Sequence, residues 1–500
     1  MSASARMVNE SRASSTATGN LDAQVRETHT GLVVLIGDRA FKVEKPVATD
    51  FLDFSTPERR REACAHEVIL NRRLSPDSYF GVGHFTDPVT GGAEPVIVMR
   101  RYPDSSRLAS LIRSGRPVHD HLDAIAERLA DFHRDTPRGA AIDACGEASA
   151  IAKRWQDNLD ELDRYVGSVI GADPVRDVRR LADQFIAARA PLLAQRIADR
   201  RIVDGHADLL TDDIFCLADH LAILDCLEFD DKLRYVDAID DAAFLAMDLE
   251  FLGREDLGDF FLDAYSGQAA DPAPKALRDF YIAYRAVVRA KVDCVRVMQG
   301  HLEASADARR HIDIALKHLR SGTVRLIVVG GGPGTGKSTL ARALAEPLDA
   351  EVISTDDVRR QMLETGAIAG TAGAFNAGLY TPANVAAVYD EVLQRADAAL
   401  RSGRSVILDG TWRDPGQRER ARLIAEHLNC PVVELTCSAP LDEAVARVES
   451  RPITTSDATP EITSAMSEQF ETSYGGHVID TTRPLADSLA EAQQICCLAI

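Results

Sequence analysis

LIVVGGGPGTGKSTLARALA, Leu326–Ala345, decides the fold of the C-terminal part of this 500-residue chain. Its first four residues are aliphatic without alternation, the pattern of a strand buried on both faces. A glycine-rich loop follows, and then apolar residues at helical spacing, Leu340, Ala341 and Leu344. Gly331 to Ser338 fit G-x-x-x-x-G-K-S/T. Gly331, Gly332, Gly334 and Gly336, with Pro333 and Thr335 between them, let backbone N–H groups turn onto a phosphate at a helix N-terminus. Lys337 is placed to reach β/γ-phosphate oxygens and Ser338 to ligate Mg²⁺, with Thr339 in the first turn. ATP and Mg²⁺ are the expected ligands.

Downstream, "AEVIST", "SVILDGTW", "CPVVELTC" and "GHVIDTT" alternate with helical stretches, which indicates a parallel α/β sheet. Ser354-Thr355-Asp356-Asp357-Val358-Arg359 follows the second strand. This D-x-x-R resembles P-loop kinases of the polynucleotide kinase, zeta-toxin and gluconate kinase type. The resemblance implies that Asp356 accepts the proton of a substrate hydroxyl and that Arg359 grips substrate or phosphate. Asp is also a favoured helix cap, so Asp356 and Asp357 can be read as caps. Asp409 ends an apolar strand, where a carboxylate of the Walker-B type holds the Mg²⁺ shell. Arg447 and Arg451 share a helix face before a polar loop, and the resemblance makes them lid arginines for the transferring phosphoryl group.

Upstream the texture differs. "GLVVLIGDRAFKVEKPV" reads as a β-hairpin across a Gly-Asp turn. "PERRREACAHEVILNRRL" has helical spacing, "PVIVMRRY" (Pro95–Tyr102) is a buried strand, and long helical segments follow. Between two short strands lies "GHADLLTDDIF", Gly205–Phe215. With Asp225 after it, this order resembles the catalytic loop and metal aspartate of the aminoglycoside phosphotransferase and choline kinase family, relatives of protein kinases. The resemblance implies that Asp208 is the base and that Asp213 and Asp225 hold Mg²⁺. It also implies a strand lysine paired to a helix glutamate: Lys42 with Lys45 as runner-up, and Glu67 ahead of Glu62. Pro95–Tyr102 would then face adenine, and Glu228 would aid metal or substrate. Two departures stand out: Ala207 occupies the place of a glycine, and Asp213 that of an asparagine. A carboxylate still suits Mg²⁺ as a hard oxygen ligand.

Composition narrows the function classes. With 57 Lys and Arg against 77 Asp and Glu, the formal net charge is −20. That field disfavours nucleic acid and anionic membranes as partners. Nine cysteines without a C-x-x-C pair support neither a zinc site nor a redox motif. No stretch approaches the roughly 20 apolar residues of a membrane span. Residues 1–28, rich in Ser, Ala and Thr, read as a disordered tail rather than a signal peptide, so the cytoplasm is expected. The expected architecture is a tail over 1–29, an α+β protein-kinase-like domain over 30–320 with a small β lobe and a helical lobe, and an α/β P-loop domain over 321–500. The expected function is transfer of the γ-phosphoryl of ATP to a hydroxyl of small molecules by both modules. The alternative is a P-loop kinase or ATPase controlled by a nucleotide-binding N-terminal pseudokinase.

Overall fold

The computed structural model describes residues 23–27, 31–46, 54–86, 92–371, 377–450, 459–467 and 476–499. Arg451 and most of the expected tail lie outside the described residues. Within that tail, however, Gln24–Glu27 forms a strand, β1, antiparallel to β2 (Gly31–Ile36). Val25 and its neighbours gain ladder partners there, which the composition of the stretch did not signal.

The N-terminal sheet continues with β3 (Arg39–Glu44), β4 (Tyr79–Thr86) and β5 (Ala93–Arg100), in the order β1-β2-β3-β5-β4. All its pairings are antiparallel. Side chains alternate across a strand, so Ala40, Lys42 and Glu44 share one face of β3. The helix Pro57–Asn71, capped by Thr56 and opened by Pro57, supplies buried Cys64 and Val68 to the apolar cluster with Ala40, Tyr79 and Ile97. Two small ribbons follow: β6 (Ile202–Asp204) with β9 (Tyr235–Asp237), and β7 (Ile214–Cys216) with β8 (Leu221–Ile223).

The C-terminal sheet is parallel throughout. It comprises β10 (Leu326–Gly330), β11 (Ala350–Ser354), β12 (Ser405–Asp409), β13 (Val432–Ser438) and β14 (His477–Asp480), ordered β11-β12-β10-β13-β14. Ile327, Val329, Ile407 and Leu435 pack with Leu340 and Leu344 of the helix Lys337–Ala345. The continuous apolar run thus became a central strand with helices over it.

The chain's two compact units are composed differently from the division expected near residue 320. One unites Met1–Ala150 with Arg196–Pro272; the other unites Ile151–Gln195 with Ala273–Ile500. The second unit is knit by contacts between segments far apart in sequence. Arg189, at a kink in the helical run Ala172–Ala198, donates to Cys430 Sγ at 2.8 Å, and Gln184 donates to the Asn429 carbonyl. Gly403 lies against Leu192 and Pro274. Among the described residues no helix is long and apolar enough to cross a membrane.

Candidate active sites

In the first unit, Lys42 extends from β3 into a ring of carboxylates. Its ammonium donates to both Glu67 oxygens at 3.0 Å, and stands 3.5 Å from Glu44 and 3.6 Å from Asp225. Burial by itself would lower the Lys42 pKa, but Glu67, Asp225, Glu228 and Glu44 outweigh it and hold the ammonium charged. Burial, the largest effect, raises the Glu67 pKa to about 8 against the pull of Lys42, while hydrogen bonds from the ammonium to both carboxylate oxygens favour the ionised pair. Lys45 is only partly buried and Glu62 is exposed, and Lys42 with Glu67 makes the ion pair.

Asn71 ties this helix to the segment that carries Asp225. Its amide donates to the Glu67 carbonyl and its oxygen accepts the Cys226 N–H at 2.9 Å. Tyr79 Oη accepts the Asp225 N–H, and Asp225 itself adopts a left-handed φ of 64°. Asp213 is half-buried beside Asp225 and Asp208; desolvation first, then those two charges, push its carboxyl well above the usual range. Glu228 is likewise pushed up, first by burial, against the pull of Lys42.

The loop that carries Asp208 hangs on a residue that sequence reasoning missed. Asp241 accepts the backbone N–H of both His206 and Ala207, each at 2.7 Å, and a third bond from His133 Nε2 at 2.9 Å. A Cβ at Gly205 would meet the Asp241 carboxylate at 2.5 Å, so glycine is required there. His206 Nε2 donates to the Leu224 carbonyl and its Nδ1 accepts the Asp208 N–H. Thr211 donates through both N–H and hydroxyl to Asp248. Asp241 and Asp248 lie seven apart on the helix Ala238–Phe251. Carboxylates seven apart on one face of a largely apolar helix were the available signal. Among the described residues, no three His, Cys, Asp or Glu side chains are gathered as a ready metal site.

In the second unit the loop after β10 wraps inward. Lys337 Nζ donates to the Gly332 carbonyl at 2.8 Å and Thr335 Oγ1 donates to the same oxygen. Gly334 has φ 76°, and a Cβ on it would lie 2.2 Å from the Ala444 carbonyl, so no other residue fits. Ser338 hydrogen-bonds to Asp409, buried at the end of β12. Burial raises the Asp409 pKa, while Lys337 and Ser338 pull it back. Thr339 is exposed on the helix. Asp356 does not cap its helix: the N-cap is Ser354, whose side chain makes no capping bond. Instead Asp356 accepts from the buried guanidinium of Arg359 at 2.5 Å, and that guanidinium lies 4.5 Å over the Tyr380 ring. Arg447 bonds Glu443 and the Thr481 carbonyl, and Thr481 in turn donates to the Thr335 carbonyl. Arg447 is thereby held against the loop.

A family model described as an AAA domain matches residues 326–473. An uncharacterized protein of Mycobacterium tuberculosis is 55% identical over 471 residues, 94% of this chain and 95% of its own length. The chain belongs to that protein's family. A choline/ethanolamine kinase family protein from Mesorhizobium loti is similar in structure over 61% of this chain and 93% of its own, at 19% identity and a TM-score of 0.38. A gluconokinase from Sinorhizobium meliloti is similar over 35% of this chain and 93% of its own, at 19% identity and a TM-score of 0.28.

Proposed function

We propose that the chain is an ATP-dependent phosphotransferase with two nucleotide sites, one in each unit, acting on hydroxyls of small molecules. The observation that carries the reading is the convergence of Lys337, the Ser338–Asp409 pair and the Asp356–Arg359 pair on one phosphate-type loop. Lys337 neutralises phosphate charge, and the loop N–H groups align the chain of phosphates. Ser338 and Asp409, hard oxygen donors, would hold Mg²⁺, which would neutralise phosphate charge. Asp356 accepts the proton of the acceptor hydroxyl as that oxygen bonds to the γ-phosphorus. The bond to the β-phosphate oxygen breaks and ADP leaves. Arg359 orients Asp356 and the incoming acceptor, and Arg447 steadies the loop.

In the N-terminal site Lys42 takes the α/β-phosphates, Glu67 orients Lys42, and Asp208 receives the acceptor proton. Asp213 and Asp225 fit Mg²⁺ by the chemistry of their oxygens. A second reading is that this site binds nucleotide without turnover and controls the P-loop site. The surplus of carboxylates around Lys42 favours it.

The test is an ATP-consumption screen of sugars, amino sugars, aminoglycosides and nucleosides with the full chain, Lys337→Ala and Asp208→Asn. Loss of turnover on one acceptor with Lys337→Ala and on another with Asp208→Asn supports two active sites. Turnover indifferent to Asp208→Asn supports the regulatory reading, and turnover indifferent to both defeats the proposal.

A further inference from the structure

Glu44 has no counterpart in the roles assigned so far. It sits two residues beyond Lys42, on the same face of β3, and is only 3% exposed. Neither of its carboxylate oxygens has a well-formed hydrogen bond; the Lys42 ammonium stands 3.5 Å away, and burial raises the Glu44 pKa against that lysine's pull. A carboxylate buried for structural reasons is normally hydrogen-bonded, because burial without partners is costly. The nearest cation is Lys42, 3.5 Å away, yet both short hydrogen bonds of that ammonium go to Glu67. Glu44 therefore competes with Asp225, at 3.6 Å, for what remains of the lysine's charge.

Nucleotide binding sharpens this competition. A phosphate docked on Lys42 draws the ammonium toward itself, and a divalent cation draws on Asp225. Glu44 has neither partner available and is held by the strand within a few ångströms of the incoming phosphate. Its charge then repels the ligand in a buried setting where screening by salt is weak.

We propose that Glu44 sets the nucleotide affinity of the N-terminal site, as a built-in repulsive charge that weakens its hold on nucleoside triphosphate and leaves Glu67 as the productive partner of Lys42. This rests on the reading of that site as a nucleotide site. Replacing Glu44 by neutral glutamine removes the repulsion while keeping the shape. At an effective dielectric near 20, the gain in ATP affinity is on the order of tenfold to a hundredfold.

The experiment resolves the two sites in the full-length chain. An acyl-phosphate derivative of ATP acylates lysines at phosphate sites, and mass spectrometry reads Lys42 and Lys337 peptides separately. Competition with ATP and Mg²⁺ gives the half-protecting concentration at each lysine. Glu44→Gln is expected to lower it at Lys42 by about tenfold or more and to leave it unchanged at Lys337. Glu44→Leu, which also removes the unbonded oxygens, is expected to shift Lys42 in the same direction, so that a folding defect in one variant is covered by the other. Unchanged or weaker protection at Lys42 in both variants overturns the role of Glu44. If ATP protects Lys337 but never Lys42, in wild type and variants alike, the nucleotide reading of the N-terminal site fails, and the inference falls with it.

Discussion

Asp241 Oδ1 accepts the backbone N–H of Ala207 at 2.7 Å, and Ala207 holds a left-handed φ of 65° while it does so. The bond fixes the loop that presents Asp208, and the alanine is strained for it. A left-handed non-glycine residue costs about 1–2 kcal/mol. Ala207→Gly should therefore leave the melting temperature unchanged or raise it. Ala126→Gly, in the helix His119–Asp135, should cost about 1 kcal/mol. Asp241→Ala leaves two buried N–H groups unpaired and should lose several kcal/mol, about 3–5 by analogy with broken buried charge networks. Calorimetric melts of the three variants check all of this, and equal losses for the two glycine variants would count against the strain.

The same loop sets an acid limit. Burial, the largest effect, lowers the His206 pKa from 6.5, against the pull of Asp241 and Asp225. A depressed histidine contributes stability that is present above its unfolded value, about 6.5, and is lost as pH falls through the folded value. The unfolded chain then binds more protons, so stability rises with pH in that window. Urea midpoints for wild type should fall between pH 7.5 and pH 5. In His206→Gln the dependence over that range should be shallower. A steeper dependence in the variant would contradict the assignment.

For the P-loop, Lys337→Ala should reduce ATP turnover by on the order of 10²–10³-fold or more with little change in melting, since the lysine's bond to Gly332 is a loop contact. Steady-state turnover beside a thermal melt decides it.

The residues that carry these predictions were unequally legible in the sequence. The uninterrupted aliphatic run before Gly331 and the helical spacing after it were enough for a central parallel strand and its helix, because local pattern and tertiary burial agree there. Lys42, Glu67 and Asp225 were named because their order along the chain fits one arrangement. Asp241 and Glu44 were not, since an acid inside a helix or at a strand end looks like solvated surface until the backbone packed around it is known. The cap reading of Asp356 failed for a local reason: the N-cap falls two residues earlier, at Ser354, and the carboxylate reaches Arg359 three positions on.

Asp356 gives a sharper test because it is no cap. Asp356→Asn removes a charge paired with a guanidinium, and the amide oxygen keeps a hydrogen bond to Arg359. ATP protection of Lys337 should persist, and phosphoryl transfer at the P-loop site should fall by on the order of 10²–10⁴-fold, the usual worth of a positioned base. Equal transfer rates would remove Asp356 from the chemistry.

The composition of the second unit bears on any attempt to divide the chain. Leu192 is 8% exposed and lies against Gly403, the residue that turns the chain into β12. Gly403 itself has φ 85°, and a Cβ there would meet Leu192 at 3.0 Å and Pro274 at 3.1 Å. Arg189, buried to 2% exposure, has Cys430 Sγ among its partners, just ahead of β13. Two of the loops feeding the parallel sheet therefore rest on residues far upstream of it. A fragment spanning 321–500 would expose those apolar contacts to water. It should melt well below the full chain or aggregate on expression, even though it holds the complete sheet. Leu192→Ala in the full chain tests the same contact more gently: loss of a buried leucine of this kind costs about 2–5 kcal/mol. The loss should show as an earlier urea transition when ATP protection of Lys337 is the readout. If the fragment melts as high as the intact protein and Leu192→Ala leaves that transition in place, the upstream helices contribute nothing to the stability of the sheet.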